Sequence, residues 1–137
     1  MALPPQEPVV PDGEVLARLG RERNVWFCTL RPDGSPHLTP VWFVHLDDQW
    51  WICTAARNRK VRNVAANPRV SLALEDGRAP VVAEGTVTIH RECFPAGVVA
   101  AFRAKYGWDV TGSDGPEGGN VLLQVTVSRW LLAGPTD

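Results

Sequence analysis

Basic side chains crowd residues 54–63, where the sequence predicts that a strand ends and a helix begins. The cations are Arg57, Arg59, Lys60 and Arg62. The amino end of a helix carries about half a positive charge, so cations are unfavourable in its first turn unless an anion binds there. Free backbone N–H groups at a helix start bind phosphate readily, and nearby cations strengthen the site. The segment therefore predicts a phosphate-binding corner.

A solvated basic helix face explains the same residues, and the segment alone does not separate the two interpretations. The whole chain of 137 residues has a net charge of −1. It therefore lacks the overall positive field that is typical of nucleic-acid-binding domains. The cationic cluster stands out against this neutral background.

The remaining reactive residues show no spacing that is typical of metal or hydrolase chemistry. Cys28, Cys53 and Cys93 form an odd set without a Cys-x-x-Cys pair, which argues against a disulfide framework and a structural zinc site. No Ser/His/Asp set or pair of carboxylates falls at motif spacing. No apolar run is long enough to span a membrane, and the first residues do not resemble a signal peptide. We expect no metal and a cytoplasmic protein.

Hydrophobic periodicity and turn residues predict a single domain over residues 12–137, preceded by a flexible, proline-rich arm over residues 1–11. The predicted strands span residues 24–30, 36–46, 49–54, 69–75, 80–91 and 120–132. The predicted helices span residues 12–20, the segment between Thr54 and Asn67, and residues 94–106. Pro40 marks an edge, a bulge or a ligand-facing break in the second strand, and Gly85 marks a bulge or bend in the fifth.

Tight turns between these strands predict a mainly β fold, a small closed or split antiparallel barrel. Six tryptophans exceed what so small a core needs, so they indicate a dimer face or a wall for a flat ligand. The glycine-rich segment 107–119 is predicted to be a mobile loop that could act as a lid.

Three segments, in this order, resemble parts of the pyridoxamine 5′-phosphate oxidase-like split-barrel flavoproteins. Residues 29–43 (TLRPDGSPHLTPVWF) are similar to the first hairpin of that family, residues 59–70 to its phosphate-binding turn, and residues 83–87 to a later strand. The similarity runs from about residue 15 to residue 130. It implies a six-stranded antiparallel split β-barrel with two or three short helices. It also implies a homodimer with two flavin-type cofactors in clefts between the subunits.

The resemblance also implies which residues touch the cofactor. The second strand would lie along the isoalloxazine ring, partly through its backbone, and the basic turn would hold the phosphate. The implied residues are Thr39, Pro40, Val41 and Trp42 on the strand, and Thr54, Arg59, Lys60 and Asn63 at the turn. A helix cap is an alternative role for Thr54, and a surface position is the alternative for Asn63. We expect Lys60 on an exposed helix end.

The chain departs from the true pyridoxamine phosphate oxidases near its last strand, where only Arg129 and Trp130 remain of a segment rich in Arg and Trp. Oxidation of pyridoxamine phosphate is therefore not expected. The short form resembles the branch, known mainly in actinobacteria, that uses the deazaflavin coenzyme F420. This cofactor carries a phosphodiester and an acidic oligoglutamate tail. Arg57 and Arg62 exceed the charge needed for one phosphate and could meet the tail, with ordinary solvation as the alternative.

Three functions are consistent with the sequence. In the first, a coenzyme F420-dependent reductase passes a hydride to an unsaturated small molecule, while the protein supplies position and electrostatics. The second is an FMN-dependent oxidoreductase on the same scaffold, and the third is a non-catalytic cofactor carrier or tetrapyrrole-binding module. His37 and His45 are candidate proton donors, and Trp42 and Trp108 are candidates for stacking on a ligand. Structural roles are the alternative for all four.

Overall fold

The computed structural model describes residues 8–112 and 119–134. These residues form three α-helices and six strands. In chain order they are α1 (Gly13–Arg21), β1 (Asn24–Leu30), β2 (Pro36–Leu46), β3 (Gln49–Ala55), α2 (Arg59–Ala66), β4 (Arg69–Leu74), β5 (Val81–His90), α3 (Ala96–Tyr106) and β6 (Asn120–Ala133). Every predicted strand and helix is confirmed, with ends that differ by a few residues.

Parts of three predicted segments fall outside the described residues. These are residues 1–7 of the predicted arm, residues 113–118 of the predicted loop and residues 135–137 of the predicted domain. The described end of the arm forms an isolated antiparallel bridge between Val9 and Trp130. No helix in the described part of the chain has the length and apolar character needed to span a membrane.

The strands close into one antiparallel barrel in the order β1-β2-β3-β6-β5-β4. Local turn chemistry explains the first two hairpins. Gly34, between β1 and β2, has φ of 85°, and Asp47 and Asp48, between β2 and β3, have φ of 55° and 61°. Two successive positive φ values match the turn that best follows the twist of two-residue hairpins. The predicted mainly β, six-stranded antiparallel barrel is confirmed.

Apolar side chains fill the barrel because alternate residues of each strand point inward. The interior includes Val25, Phe27, Phe43, Trp50, Ile52, Leu72, Val81, Leu123 and Val125. The helices α1 and α2 add apolar side chains to the same cluster. A second cluster joins α3 to the outer surface of β2, β3 and β6 through Val44, Trp51, Cys53, Val98, Phe102 and Leu122. Strand β3 is therefore buried on both faces.

Gly85 lies at an irregularity in the longest ladder of the barrel. The register between β5 and β6 shifts between Glu84 and Gly85, and again between Val82 and Ala83. A Cβ atom on Gly85 would collide with the backbone oxygen of Thr126. The predicted bulge at Gly85 is confirmed, and the close approach of β6 explains why the residue is glycine.

Candidate functional site

Strand β2 has one open edge. It pairs with β1 through residues 36–42 but with β3 only through residues 43–46. The first part of β2 therefore has no described strand on the β3 side. This gap splits the barrel wall, and the basic turn at the start of α2 follows directly from the end of β3.

The hydrogen bonds of Phe43 show which backbone groups of β2 point to this open edge. Phe43 N–H donates to the Tyr106 hydroxyl at 2.9 Å, and that hydroxyl lies 2.8 Å from Phe43 O and 2.7 Å from Arg23 O. Arg23 directly precedes β1, so the polar groups of Phe43 face the β1 side. Backbone groups alternate in direction along an antiparallel strand.

Leu38, Pro40 and Trp42 therefore direct their backbone groups to the open edge. Pro40 has no N–H, but a ladder bond would not form at that edge in any case. The prediction that Pro40 marks an edge is confirmed. The edge presents the N–H group of Leu38 and the carbonyl groups of Leu38 and Pro40, whereas Trp42 lies beside Phe43, where pairing with β3 begins.

Side chains of the predicted ring-binding strand point to opposite sides of the barrel wall. Thr39 and Val41 are half-buried and face inward, whereas Pro40 and Trp42 are exposed. The Trp42 ring stacks on Tyr106 with a centroid distance of 4.4 Å and an interplanar angle of 6°. The edge of Trp108 lies 6.0 Å away. Tyr106 thus covers one face of the Trp42 ring, and Trp108 packs in the same aromatic group.

Asn58 caps α2, and its side chain accepts hydrogen bonds from the backbone and from the ammonium of Lys60, at 3.5 and 3.0 Å. The first turn of α2 contains no acidic residue. Thr54 lies earlier, half-buried at the end of β3, so it does not cap the helix. Sequence reasoning missed Asn58, although asparagine before a predicted helix is a standard capping signal.

Lys60 does not lie on an exposed helix end, and that expectation is wrong. Only 8% of the residue is exposed. Its ammonium turns back to the start of the helix, where it donates to Asn58 Oδ1. Arg57, Arg59 and Arg62 are the exposed cations of the turn. The turn therefore combines a buried ammonium with exposed guanidinium groups.

Asn63 is buried, and this excludes the surface position considered from the sequence. It is 1% exposed, and its Nδ2 donates to the Thr29 hydroxyl at 2.9 Å. Thr29 is equally buried on β1. A side chain in this position supports the turn from beneath by joining α2 to β1. Asn63 Oδ1 has no hydrogen-bond partner in the described ranges.

His37 lies under the same turn. It pairs with Thr29 across the β1–β2 ladder and shares the inward face of β2 with Thr39. Its Nδ1 and the Thr39 hydroxyl are buried, and neither has a hydrogen-bond partner among the described residues. Burial lowers the pKa of His37, and the cations Arg31, Lys60 and Arg59 lower it further.

His45 lies at the other end of β2, eight residues or roughly 26 Å further along the strand. It packs against Trp50 and Trp130, with ring centroids 5.9 and 6.5 Å away. Burial lowers its pKa below the usual histidine value. Of the two histidines considered as proton donors, only His37 is near the basic turn.

Apolar side chains are also exposed on the outer surface of the barrel wall. Trp26 and Leu38 are 40% and 58% exposed on adjacent strands. They border a groove of about 330 Å³ that Cys28, Ala73 and Val82 also line. We call these five residues the outer apolar patch. An exposed patch of this kind is typical of an interaction surface.

The fold is shared with several solved structures. A conserved hypothetical protein from Mycobacterium tuberculosis is 27% identical, with a TM-score of 0.70, over 94% of this chain and 88% of that chain. A protein described as an F420 reductase is 23% identical, with a TM-score of 0.69, over 88% of this chain and 98% of that chain.

A third similar structure is the haem storage protein HutZ from Vibrio cholerae, which is 16% identical, with a TM-score of 0.75, over 90% of this chain and 95% of that chain. The F420 reductase and HutZ are each less than 25% identical to this chain, so these two similarities show a shared fold and not a shared function. No curated protein sequence matches the chain.

The family profile of pyridoxamine 5′-phosphate oxidase matches residues 11–133, nearly the whole chain. The chain therefore belongs to the pyridoxamine 5′-phosphate oxidase family.

Proposed function

We propose that this protein is a coenzyme F420-dependent reductase that acts on an unsaturated small molecule. The observation that carries the proposal is the acid-free, cationic start of α2 beside the open edge of β2. When bound, the reduced deazaflavin supplies the hydride, and the protein supplies position and electrostatics. We keep the cofactor site predicted from the sequence, add Asn58 to it, and assign Asn63 a supporting role beneath it.

The basic turn fits a phosphate group. The ion pairs found among the described residues join Arg18 to Glu22, Arg103 to Asp109 and Arg129 to Glu84. None of them uses an arginine of the basic turn. An anionic ligand would therefore not have to displace a carboxylate from Arg57 or Arg59. Each charge-assisted hydrogen bond to a phosphate contributes about 1.5–3 kcal/mol.

The open edge of β2 fits a flat ring that carries hydrogen-bonding atoms. It offers both N–H donors and carbonyl acceptors, as the edges of flavin and deazaflavin rings require. The edge begins at the strand end near α2: His37 pairs there with Thr29, and Thr29 accepts a hydrogen bond from Asn63 of α2. A ligand with a phosphate at the turn could thus extend its ring along β2. Thr39 and Val41 belong to this strand but would not hydrogen-bond the ring at the open edge, because their side chains face inward and their backbone groups point to β1.

FMN meets the same requirements, because it also carries a phosphate and a flat ring. Arg57 and Arg62 favour coenzyme F420, since they place two further exposed cations beside those that would hold one phosphate. Its acidic tail would lie among them.

We also propose that the protein acts as a homodimer in the cytoplasm. The outer apolar patch is the surface that a second copy would cover, and the cofactor cleft would lie at its border. Cys28, Cys53 and Cys93 are all free thiols, as is usual in a reducing compartment.

A parallel titration of the purified protein with coenzyme F420 and with FMN tests the cofactor. The change in fluorescence of each cofactor reports binding, and we expect coenzyme F420 to bind more tightly than FMN. Replacing Arg59 with Ala should weaken binding by about 10- to 150-fold, which is the loss of one charge-assisted contact. Replacing Arg78, an exposed arginine on the β4–β5 turn, provides a matched control that should bind normally.

Each other outcome selects an alternative. Tighter binding of FMN would replace the deazaflavin with a flavin. Tight cofactor binding without turnover of enones, quinones or biliverdin would favour the non-catalytic carrier. Equal binding by the Arg59 and Arg78 variants would refute the phosphate site.

A further inference from the structure

His37 is placed to sense whatever binds at the basic turn. It lies directly across the β1–β2 ladder from Thr29. The hydroxyl of Thr29 accepts the 2.9 Å hydrogen bond from Asn63 on α2. Thr29 therefore links His37 on β2 to α2, and the first turn of α2 carries Arg59 and Lys60.

The polar atoms around His37 leave hydrogen bonds unmade. Its buried Nδ1, the Thr39 hydroxyl oxygen and Asn63 Oδ1 have no partner among the described residues. Two of these atoms are oxygens that can accept a hydrogen bond. A neutral imidazole has one N–H donor, whereas an imidazolium has two. Protonation of His37 would thus add a second donor on the inward face of β2, which also carries the unpaired Thr39 hydroxyl.

The charges that face His37 in the described part of the chain are all positive. Arg31 comes from the β1–β2 turn, and Arg59 and Lys60 come from α2. Together with burial they keep the pKa of His37 below the usual value, so the imidazole is neutral at pH 7. An anion at the turn would offset those cations and remove much of the opposition to the imidazolium.

We propose that binding of a phosphate-bearing ligand at the basic turn protonates His37, which then becomes an additional cation of the site. The proton comes from solvent, and up to one proton is taken up for each ligand bound, depending on the pH. By linkage, a proton on His37 must strengthen ligand binding by the same factor by which the ligand favours the proton. The inference rests on the proposed cofactor site and adds a pH-dependent residue to it.

The test compares ligand affinity across pH for the wild type and for His37→Gln. Coenzyme F420 is the first probe, because its phosphodiester does not titrate between pH 5.5 and 8. FMN is the second, and its phosphate, which titrates near pH 6, affects both proteins equally. Relative to His37→Gln, we expect the wild-type Kd to fall by about three- to tenfold from pH 7.5 to pH 5.5. His90→Gln, which alters a histidine bonded to Gln124, should follow the wild type.

A direct measurement covers the case in which His37→Gln does not fold. NMR titration of the wild-type histidine ring protons should show the pKa of His37 rising when FMN is added. Parallel affinity curves for wild type and His37→Gln, or an unchanged His37 pKa in the saturated protein, would overturn the proton linkage while leaving the cofactor site intact. Absence of binding by both cofactors at every pH would instead refute the proposed function, and this inference with it.

Discussion

At the scale of single residues, the basic turn contains side chains of two kinds. Arg57 and Arg59 face solvent, where they can meet an anion. Asn63 and Lys60 are buried, and Asn63 joins the helix to the strand beneath it. The exposed arginines supply positive charge at the surface, and the buried side chains hold the turn in place. Substitutions should separate these two effects.

Replacing Asn63 with Leu should destabilise the protein and also weaken cofactor binding. The buried hydroxyl of Thr29 would lose its partner, which costs about 1–3 kcal/mol. Urea denaturation measures the loss of stability. The double variant with Thr29→Val should lose less than the sum of the two single variants, because both remove the same bond. Additive losses would show that the Asn63–Thr29 bond contributes little.

Lys105 provides a pH test of stability that is independent of any ligand. Burial, and to a lesser extent the nearby Arg23, lower its pKa from 10.5 to about 8, while Glu22 opposes the shift. Its ammonium lies 3.2 Å from Leu19 O and 3.9 Å from the centre of the Phe43 ring. The folded protein therefore binds this proton less tightly than the unfolded chain does.

Between pH 8 and about pH 10, the unfolded state holds more protons on Lys105, so its contribution to the free energy of unfolding should rise with pH. Urea denaturation of the wild type and of Lys105→Met at pH 7, 8.5 and 9.5 measures it. We expect the stability of the wild type relative to Lys105→Met to increase with pH. An identical pH slope for both proteins would contradict the lowered pKa.

At the scale of elements, α3 is fastened to the barrel by the hydroxyl of Tyr106. This group joins Arg23, just before β1, to Phe43 on β2, where the β1–β2 ladder has ended. Burial raises the pKa of Tyr106, so the hydroxyl keeps its proton. The ring also stacks on Trp42. The end of α3 thus fixes the first part of β2, on which the proposed ring-binding edge lies.

Replacing Tyr106 with Phe keeps the stacked ring and removes only the hydroxyl. We expect a loss of about 1–3 kcal/mol in the free energy of unfolding, because backbone groups of Phe43 and Arg23 lose their partner. Faster amide hydrogen exchange at Phe43 N–H should accompany this loss. Unchanged exchange at that amide would show that water replaces the hydroxyl without cost.

The elements could be predicted from the sequence because their signals are local. Alternation located β6, turn residues located the hairpins, and Asn67-Pro68 located the end of α2. Contacts between distant residues could not be predicted in this way. Asn63 meets Thr29 across 34 positions of sequence, and Trp42 stacks on Tyr106 only because α3 returns to β2. The contact of Lys60 with Asn58 is local, and it was missed because Asn58 was not identified from the sequence as the helix cap.

The location of the candidate site could be predicted from the sequence better than the orientation of its side chains. The cations of residues 54–63 do lie at the start of a helix, and Pro40 does lie on an open edge. The inward direction of polar residues such as His37 and Thr39 was harder to predict. Their direction follows from the β1–β2 register, which becomes evident only when both strands are paired.

At the scale of the whole molecule, the outer apolar patch is the surface on which the proposed homodimer depends. Trp26 and Leu38 expose large apolar surfaces on neighbouring strands. Replacing Trp26 with Glu should therefore convert the proposed homodimer to a monomer, because a carboxylate would be buried without a partner at the interface. Analytical ultracentrifugation measures the change.

Leu16→Glu is the matched control, since Leu16 is an exposed apolar residue on α1, outside the patch. It should leave the dimer intact. A dimer that survives Trp26→Glu but is lost in Leu16→Glu would place the interface on α1. A wild-type monomer at micromolar concentration would rule out the stable dimer.

The strand order has a consequence for how the protein is made. Strand β6 follows every other strand in the chain, yet it lies between β3 and β5. Until β6 has left the ribosome, β3 and β5 each have an edge with unpaired backbone N–H and C=O groups. Such edges readily pair with strands of other chains. Synthesis must pass β6 before the barrel closes, so we expect the nascent protein to depend on chaperones until β6 emerges.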